Sequence, residues 1–284
     1  MPSTLALRRR IKTAQNISKT TRAMQMIAAS KLKRAQQAAL ASRPYVEKLS
    51  QLSQSIAPKE STEDTSHPLL RTKQLSNKTL YVVISPDKGL CGGLNTNLFR
   101  EYLKYNKDDK SLFIAVGKKI EAIAGSTTKN LLASFHAGTT LPSFGMVSPI
   151  STIITEHFTQ GKIDKVVILT THFNSVFSQT PHMTQLLPVV FPENGQSVQE
   201  KLIEPSPTEL LPALLKRYVD MVIYQQLLES YASFNAAQMI AMQNATSNAK
   251  DIVSDLTLLY NKVRQEKITS EILDISSAAV ALNA

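Results

Sequence analysis

The chain has 284 residues, of which 43% are hydrophobic, which is enough for one large domain or for one domain with an extended element. It carries 32 basic and 22 acidic residues, and the whole excess lies in residues 1–46, which hold ten lysines or arginines and no acidic residue. This composition excludes a disordered tail. The local basicity predicts a local acidic partner, which is nucleic acid, an anionic lipid or an acidic protein surface.

The single cysteine, Cys91, excludes an internal disulfide and a cysteine zinc cluster, and it favours a reducing compartment. No apolar run reaches the roughly 20 residues that a membrane-spanning helix needs. We therefore expect a chain without a membrane span.

The first predicted element is a long helix over residues 1–57. From Ser3 to Arg43 there is no glycine or proline, and Pro44 is expected to kink the helix or to mark where it leaves its partner. Apolar or small residues recur at steps of three and four, with Met24 and Ile27 flanking them. The recurring residues are Leu7, Ile11, Ala14, Ser18, Thr21, Ala28, Leu32, Ala35 and Ala39.

An acid-free amphipathic start is also typical of a mitochondrial transit peptide. The helical pattern continues without a break into Leu49, Leu52 and Ile56. This continuity favours a working part of the mature protein.

A connector rich in serine, threonine and charge is predicted at 58–78, and an α/β domain at 79–195. All nine glycines lie between Gly89 and Gly195. Short β-branched and aromatic runs alternate with helix-like segments, which predicts an open, largely parallel sheet. The predicted strands are residues 79–85, 111–116, 165–171 and 184–191, and the helix-like segments are residues 94–105 and 148–158.

The segment SPDKGLCGGLN, residues 85–95, follows a predicted strand and precedes a helix, as phosphate-binding loops do. Its glycines, Gly89, Gly92 and Gly93, match neither the GxGxxG fingerprint nor the Walker pattern. A tight turn with positive φ is the alternative interpretation. Cys91 in this turn is either a nucleophile, for which no base is evident, or a small buried thiol.

The five histidines show no metal-ligand spacing. We therefore predict no metal site, no cofactor and no catalytic residue.

The last predicted element is a helix over residues 206–284, which begins with the capping box Ser206-Pro207-Thr208-Glu209. Residues spaced alternately by three and four then predict a coiled-coil seam at Met242, Ala245, Ala249, Ile252, Leu256, Leu259 and Val263. The polar run 264–267 interrupts this seam. The two terminal helices are expected to pack antiparallel, and because the last helix is longer, its apolar end is expected to need cover from another protein.

Three stretches together resemble the γ subunit, the central stalk of the rotary proton-driven ATP synthase, of bacterial type. They are KTTRAMQMIAASKLKRAQ with ASRPY, then VVISPDKGLCGGLN, and finally AMQNATSNAKDIVSDLTLLYNKVRQEKITSEILDISSAA. The resemblance covers essentially the whole chain. It implies an antiparallel coiled coil of the terminal helices flanking a central Rossmann-like α/β domain.

The resemblance also implies a non-catalytic rotor that couples rotation of the membrane c-ring to three catalytic sites. The implied partners are three α and three β subunits around the shaft, the ε subunit and the c-ring, with no nucleic acid. The implied location is the cytoplasmic face of the bacterial plasma membrane, peripheral to it through the c-ring, and the less favoured alternative is the mitochondrial matrix face.

The resemblance implies contacts to the catalytic subunits, whose acidic helix–turn–helix lever faces the shaft. The residues concerned are Lys88, Arg264, Gln265, Met24, Lys19, Arg22, Thr269 and Glu271, and the implied bearing tip is Ile275, Ala279 and Leu282. Two positions depart from the family pattern: Gln238 stands where arginine is common, and Ala278 replaces a glycine. A basic nucleic-acid binder and an enzyme that uses Cys91 or the glycine turn stay open as alternatives on the residues alone.

Overall fold

The computed structural model of the chain describes residues 3–56, 67–71, 75–105, 111–127, 130–190 and 206–282, except for the side chains of residues 55, 207, 208 and 278–282. The chain divides into two compact units. The sheet unit is Ala29–Gln238, and the helical unit combines Met1–Ala28 with Met239–Ala284. Helices α1 (Thr4–Ile56) and α5 (Pro207–Leu282) contribute residues to both units.

The described part of the sheet unit contains a five-stranded sheet in the order β3-β2-β1-β4-β5. Strands β1 to β4 are parallel to their neighbours, and β5 is an antiparallel edge strand beside β4. The winding direction reverses between β1 and β4, as in Rossmann-like sheets. The predicted α/β class with a largely parallel sheet is therefore confirmed. The strands are β1 (Thr79–Ile84), β2 (Ser111–Val116), β3 (Leu131–Phe135), β4 (Lys165–Phe173) and β5 (Gln179–Leu187).

Helices cover both faces of this sheet. Helices α2 (Leu94–Tyr105) and α3 (Lys118–Thr127) bury Leu98 and Ile120 against one face, together with Phe113 of β2. Helix α4 (Val147–Thr159) and the first part of α5 bury apolar side chains against the other face. Because both faces are covered, the parallel strands carry nearly continuous apolar runs. The α5 residues in this core are Leu211, Leu215, Val219, Ile223 and Leu227.

Three predicted strands differ in their bounds, and one strand was missed; β1 ends at Ile84, one residue before the predicted end. The last strand begins at Gln179, five residues before the predicted 184–191, and it ends at Leu187 because Pro188 has no amide hydrogen to donate to the ladder. Strand β4 continues two residues past the predicted end, to Phe173. Strand β3 was not predicted, since its side chains alternate only between half-buried and exposed.

The predicted connector 58–78 is described only at residues 67–71 and 75–78. There a 3-10 helix, Pro68–Leu70, buries Leu69 in the core of the sheet unit. A second 3-10 helix, Phe144–Met146, leads into α4.

The start of α5 follows the predicted capping box. The Glu209 amide donates to the Ser206 hydroxyl at 3.3 Å, and Pro207 occupies the first helical position. Pro44 and Pro212 both lie inside helices rather than at their ends. Pro212 is the sixth residue of α5, beyond the first four amides that have no intrahelical partner, so it removes one backbone hydrogen bond from the second turn of the helix.

Within the helical unit, α1 and α5 run antiparallel. The Thr21 and Thr246 hydroxyls are 2.7 Å apart, and the Arg8 guanidinium donates to the Tyr260 hydroxyl at 3.1 Å. Moving from the first pair to the second shifts 13 residues towards the start of α1 and 14 towards the end of α5. The predicted α1 seam is confirmed here, since Leu7, Ala14 and Ala28 are buried.

Five of the seven predicted α5 seam residues are buried or half-buried, including Ala245, and two are exposed. Met242, Ala249, Leu256 and Val263 are shielded, but Ile252 and Leu259 are 50% and 41% exposed. The positions between them are filled instead by Thr246, Val253 and Tyr260, each one residue further along. Steps of four and three from Met242 give this set, and the contacts with α1 select it over the more apolar side chains.

Candidate partner-binding surfaces

The α1 part of the helical unit carries several exposed basic side chains. Arg9, Arg10, Lys12, Lys19 and Arg22 are all exposed. Among the described residues, none of them lies in an ion pair with a carboxylate. Arg8 differs from them, because its guanidinium binds the Tyr260 hydroxyl and lies 5.8 Å from the centre of that ring. The remaining bases are available to an acidic partner.

Lys19, Arg22 and Met24 lie within two turns of α1. Lys19 and Arg22 are exposed, whereas Met24 is half-buried beside the seam. The structure therefore brings these three predicted contact residues onto neighbouring positions of one short helical stretch.

Helix α5 extends past its partner in the helical unit. The seam ends at Val263, which the antiparallel register places opposite the start of α1 at Thr4. Every described side chain from Arg264 to Ser277 is exposed. This segment, the bare segment, carries four large aliphatic side chains: Ile268, Ile272, Leu273 and Ile275.

Four predicted contact residues lie on the bare segment. Arg264 and Gln265 open it, and Thr269 follows about one turn later. Glu271 is 3.5 Å from the Lys267 ammonium, an exposed pair of the kind that contributes little. Arg264 and Gln265 lie about 27 Å along the rod from the level of Lys19 and Arg22, at 1.5 Å per residue. The two groups therefore require two separate contact areas.

The predicted bearing tip lies at the end of α5. Ile275 is 71% exposed. Ala279 and Leu282 are helical, but their side chains lie outside the described residues.

In the sheet unit, the turn after β1 exposes Lys88 at the carboxyl edge of the sheet. Its neighbour Asp87 has a structural role that the sequence analysis missed. The Asp87 carboxylate accepts from the amides of Lys118, Ala137 and Gly138 at 2.9, 3.2 and 2.8 Å. These amides follow β2 and β3, so one side chain ties the ends of three strands together. Asp87 lies three residues past the end of β1, and an aspartate in the turn after a buried strand was only a weak signal for this role.

The same turn matches the tight-turn interpretation. Leu90 and Gly92 have φ of 62° and 59°, while Gly89 and Gly93 do not need this conformation. Cys91 is 3% exposed, and burial raises the pKa of its thiol despite the nearby Asn95 amide and the Lys119 charge. A raised pKa disfavours the thiolate that a nucleophile needs.

In Rossmann-like sheets, nucleotides bind in the crevice at the carboxyl ends of the strands. In this chain side chains of α5, including Leu227, Tyr231 and Phe234, fill that position. They leave a cavity of about 20 Å³ against Ser85 and Gly138, which has room for one water molecule rather than a nucleotide. At the start of α3 the Lys118 amide donates to the Asp87 carboxylate and the Ile120 amide donates to the Ser85 hydroxyl, so these two amides are not presented to a phosphate.

Comparison with known proteins identifies the family. A family model described as ATP synthase matches residues 3–282. The ATP synthase gamma chain of Dehalococcoides mccartyi is 42% identical over 281 residues, which cover 97% of this chain and 98% of the relative. The chain belongs to the ATP synthase gamma-chain family. The gamma chain of Herpetosiphon aurantiacus is 37% identical over 294 residues and covers both proteins completely.

Chains from solved structures of mitochondrial ATP synthases share the fold. A chain of the Tetrahymena thermophila mitochondrial ATP synthase central stalk and c-ring aligns with a TM-score of 0.60 and 25% identity, covering 80% of this chain and 99% of that one. A chain of the Euglena gracilis mitochondrial enzyme aligns with a TM-score of 0.65 at 20% identity over 99% of this chain. In the described part of the chain, no helix is long and apolar enough to cross a membrane.

Proposed function

We propose that this chain is the central rotor shaft of a proton-driven ATP synthase and that it carries no catalytic residue itself. Rotation of a membrane c-ring turns the shaft, and the shaft drives three catalytic sites in turn through their binding, synthesis and release states. The family membership supports this role. The observation that carries it is the bare segment, a helix whose fourteen described side chains are all exposed and lack a partner surface within the helical unit.

The exposed apolar side chains of this helix need to be covered by a surrounding protein surface, which we call the sleeve. Four aliphatic side chains in eight residues, each 47% to 71% exposed, are costly in water, and three of them, Ile268, Ile272 and Ile275, form an apolar stripe at steps of four and three. A ring of three α and three β subunits around the shaft covers the stripe in the proposed assembly. Ile275, Ala279 and Leu282 form its bearing tip.

The exposed basic side chains of α1 suit an acidic lever on the β subunit. Lys19 and Arg22 are exposed, have no described carboxylate partner, and lie on a helix that contains no acidic residue before Glu47. Exposed charges attract over several ångströms without one fixed geometry, so such contacts break and re-form as the shaft turns. Met24 and Lys88 add contacts to the same lever, and Arg264, Gln265, Thr269 and Glu271 contact the catalytic subunits nearer the tip.

The proposed remaining partners are the ε subunit and the c-ring at the sheet unit. The proposed location is the cytoplasmic face of a bacterial plasma membrane, since the gamma chains named above are bacterial. Membrane association is then indirect, through the c-ring.

Reconstitution tests the proposal. The chain is mixed with the α and β subunits of its own organism, the product is sized, and ATP hydrolysis is measured. We expect a complex with one copy of this chain per ring and raised ATPase activity. A chain that stays outside the ring and leaves the ATPase activity unchanged would contradict the shaft role.

The contacts near the tip are tested with Arg264→Ala combined with Gln265→Ala. We expect lower coupled ATP synthesis with normal folding of the chain, because both side chains are exposed. Arg100→Ala, which removes an exposed arginine from α2 in the other unit, is the matched control. Equal synthesis in all three proteins would remove these two residues from the contact.

A further inference from the structure

Two histidine rings lie side by side where strands β4 and β5 pair. His172 is in β4 and His182 in β5, and the register places Thr170 opposite His182 and His172 opposite Thr180. The two histidines are therefore diagonal neighbours on one face of the antiparallel pair. Their ring centres are 5.7 Å apart, with 51° between the ring planes. The hairpin thus brings together two side chains that show no ligand spacing along the chain.

Helix α5 fixes the orientation of one of these rings. The His172 Nδ1 atom is 2.8 Å from the Glu229 carboxylate, whose side chain is 13% exposed, and the same carboxylate oxygen accepts from the Phe173 amide at 3.1 Å. A neutral imidazole that donates from Nδ1 keeps its lone pair on Nε2. Histidine ligands of metal ions commonly have a carboxylate in this position, because it holds the ring and makes the other nitrogen a better ligand.

The surroundings of the two rings favour a cation as the ligand. Residues 166–187, which include both strands and their turn, contain no lysine or arginine, so no cationic side chain of this hairpin competes with a metal ion. Thr170 lies on the same face, opposite His182, and is 1% exposed. Its hydroxyl oxygen is buried without a hydrogen-bond partner among the described residues, which is uncommon for a buried polar atom. A water molecule bound to the metal ion would supply the missing hydrogen bond.

The ring spacing is close to that of two histidine ligands on one ion. Zinc binds histidine nitrogens at about 2.0–2.1 Å in tetrahedral geometry, which places the centres of two such rings about 5 Å apart. A small rotation of the exposed His182 side chain covers the difference from the observed 5.7 Å. Imidazole suits zinc, copper and nickel, whereas Mg²⁺ prefers oxygen ligands.

We propose that His172 and His182 bind a divalent transition-metal ion of the zinc type, with Glu229 as the residue that positions His172. The described part of the chain holds no group of three or more histidine, cysteine, aspartate or glutamate residues suited to a metal ion, so the protein supplies two ligands and water supplies the others. The bound ion ties the edge strand β5 to β4 and, through Glu229, to α5. This inference does not rest on the proposed rotor function.

Titration calorimetry of the untagged full chain with ZnCl₂ tests the site. His182→Gln removes one ligand, and Glu229→Gln keeps an acceptor for the Phe173 amide while it removes the charge behind His172. His136→Gln is the matched control, because His136 is also an exposed histidine beside a carboxylate, 3.7 Å from Glu121. Its ring contacts no second histidine in the described structure. The melting temperature of each chain without zinc shows whether the variant folds.

We expect one zinc ion per wild-type chain, binding at least about tenfold weaker in His182→Gln, and binding about tenfold weaker in Glu229→Gln. His136→Gln should bind zinc as the wild type does, and MgCl₂ at the same concentration should give no heat of binding. Zinc should also raise the melting temperature of the wild type more than that of His182→Gln, because the ion stabilises only a chain that binds it.

Three results would overturn parts or all of this inference. Zinc binding that does not saturate in the wild type, or equal affinity in the wild type and His182→Gln, removes the site. An equal loss of affinity in His136→Gln also removes it, because zinc then binds scattered surface histidines. Wild-type affinity in Glu229→Gln together with a loss in His182→Gln removes only the positioning role of Glu229.

Discussion

At the scale of single residues, Gly117 has the clearest steric requirement. It follows β2 with φ of 109°, and a Cβ at this position would lie 2.0 Å from the Ser85 carbonyl oxygen. Neither the backbone conformation nor the space admits a side chain. Together with Asp87, this close contact between the ends of β1 and β2 holds the turn that presents Lys88.

We therefore expect Gly117→Ala to lower the free energy of unfolding by at least about 2–3 kcal/mol. Gly125→Ala is the matched control, because Gly125 lies in α3 without positive φ, and no atom lies within 4 Å of the place that an added methyl group would take. It is expected to stabilise the chain by about 0.5–1 kcal/mol. Denaturant unfolding of both variants measures the contrast, and similar values would contradict the steric argument.

Asp164 gives a second prediction at this scale, for pH. Burial alone raises the pKa of its carboxyl, but bonds from the Leu75, Ser76 and Asn77 amides and the Ser76 hydroxyl outweigh burial and hold the pKa below its usual value. A depressed pKa means that the folded state favours the ionised carboxyl. Its stabilisation is complete above the unfolded-state pKa of about 3.9 and is lost as pH falls through the folded-state pKa.

Asp164→Asn is therefore expected to cost about 1–3 kcal/mol at neutral pH and progressively less as pH falls below about 4. Unfolding of wild type and variant across this pH range measures the narrowing. Asp255→Asn, at an exposed position of α5, is the control and should show no such loss. A constant difference between wild type and Asp164→Asn at all pH values would show that the ionised carboxyl is not responsible.

At the scale of elements, the polar pair in the seam of the helical unit is informative. The Thr21 and Thr246 hydroxyl oxygens are 2.7 Å apart, and each also lies within hydrogen-bond distance of a carbonyl of its own helix, of Ile17 and Met242 respectively. Each hydroxyl has one hydrogen, so one of the two donates to the other and the second donates to its own carbonyl. Each hydroxyl thus keeps a partner when the other is removed. The bond between the helices therefore contributes more to fixing the register of α1 against α5 than to the stability of the chain.

We expect Thr21→Val and Thr246→Val each to destabilise the chain by up to about 1 kcal/mol, and the double variant to lose less than the sum. The four proteins form a double-mutant cycle measured by denaturant unfolding. A coupling energy of about 0.5–1.5 kcal/mol is expected from one hydrogen bond. Additive losses would show that the two hydroxyls act independently.

The elements also show what the sequence could and could not predict. The capping box at Ser206 and the bounds of α2 follow from local chemistry, and the structure has them where they were predicted. The missed strand β3 lies at an edge and alternates weakly, and the missed α3 contains Gly125 in its interior. The local sequence pattern was weak in both cases, and contacts with β2 stabilise both elements in the folded chain.

The seam of α5 failed for a different reason. Ile252 and Leu259 are more apolar than Thr246, so hydropathy favoured the wrong set by one residue. Burial in a coiled coil depends on which residues face the partner helix, and one helix taken alone does not contain that information. The predicted contact residues follow from the family resemblance, whereas the bonds of Asp87 depend on where the ends of β2 and β3 lie in space, which the local sequence around Asp87 does not contain.

At the scale of the whole molecule, the bare segment matters for association with other proteins and not for the stability of the chain. All of its described side chains are exposed, so it contributes little to the stability of the chain that carries it. Its aliphatic stripe instead favours association, either with the proposed ring or with further copies of the chain.

A chain that stops after Val263 is therefore expected to keep its free energy of unfolding within about 0.5 kcal/mol of wild type, and to aggregate less at high concentration. It should bind the α and β ring more weakly because the sleeve contact is lost, while the contacts of Lys19, Arg22 and Lys88 are kept.

Ile268→Ser combined with Ile272→Ser keeps the length of the helix and removes half of the four large aliphatic side chains, so it separates apolar contact from length. Sizing and ATPase titration of the three chains measure these effects. If both altered chains bind the ring with wild-type affinity, the aliphatic side chains of the bare segment do not contribute to ring binding, even where the chain still assembles with the ring.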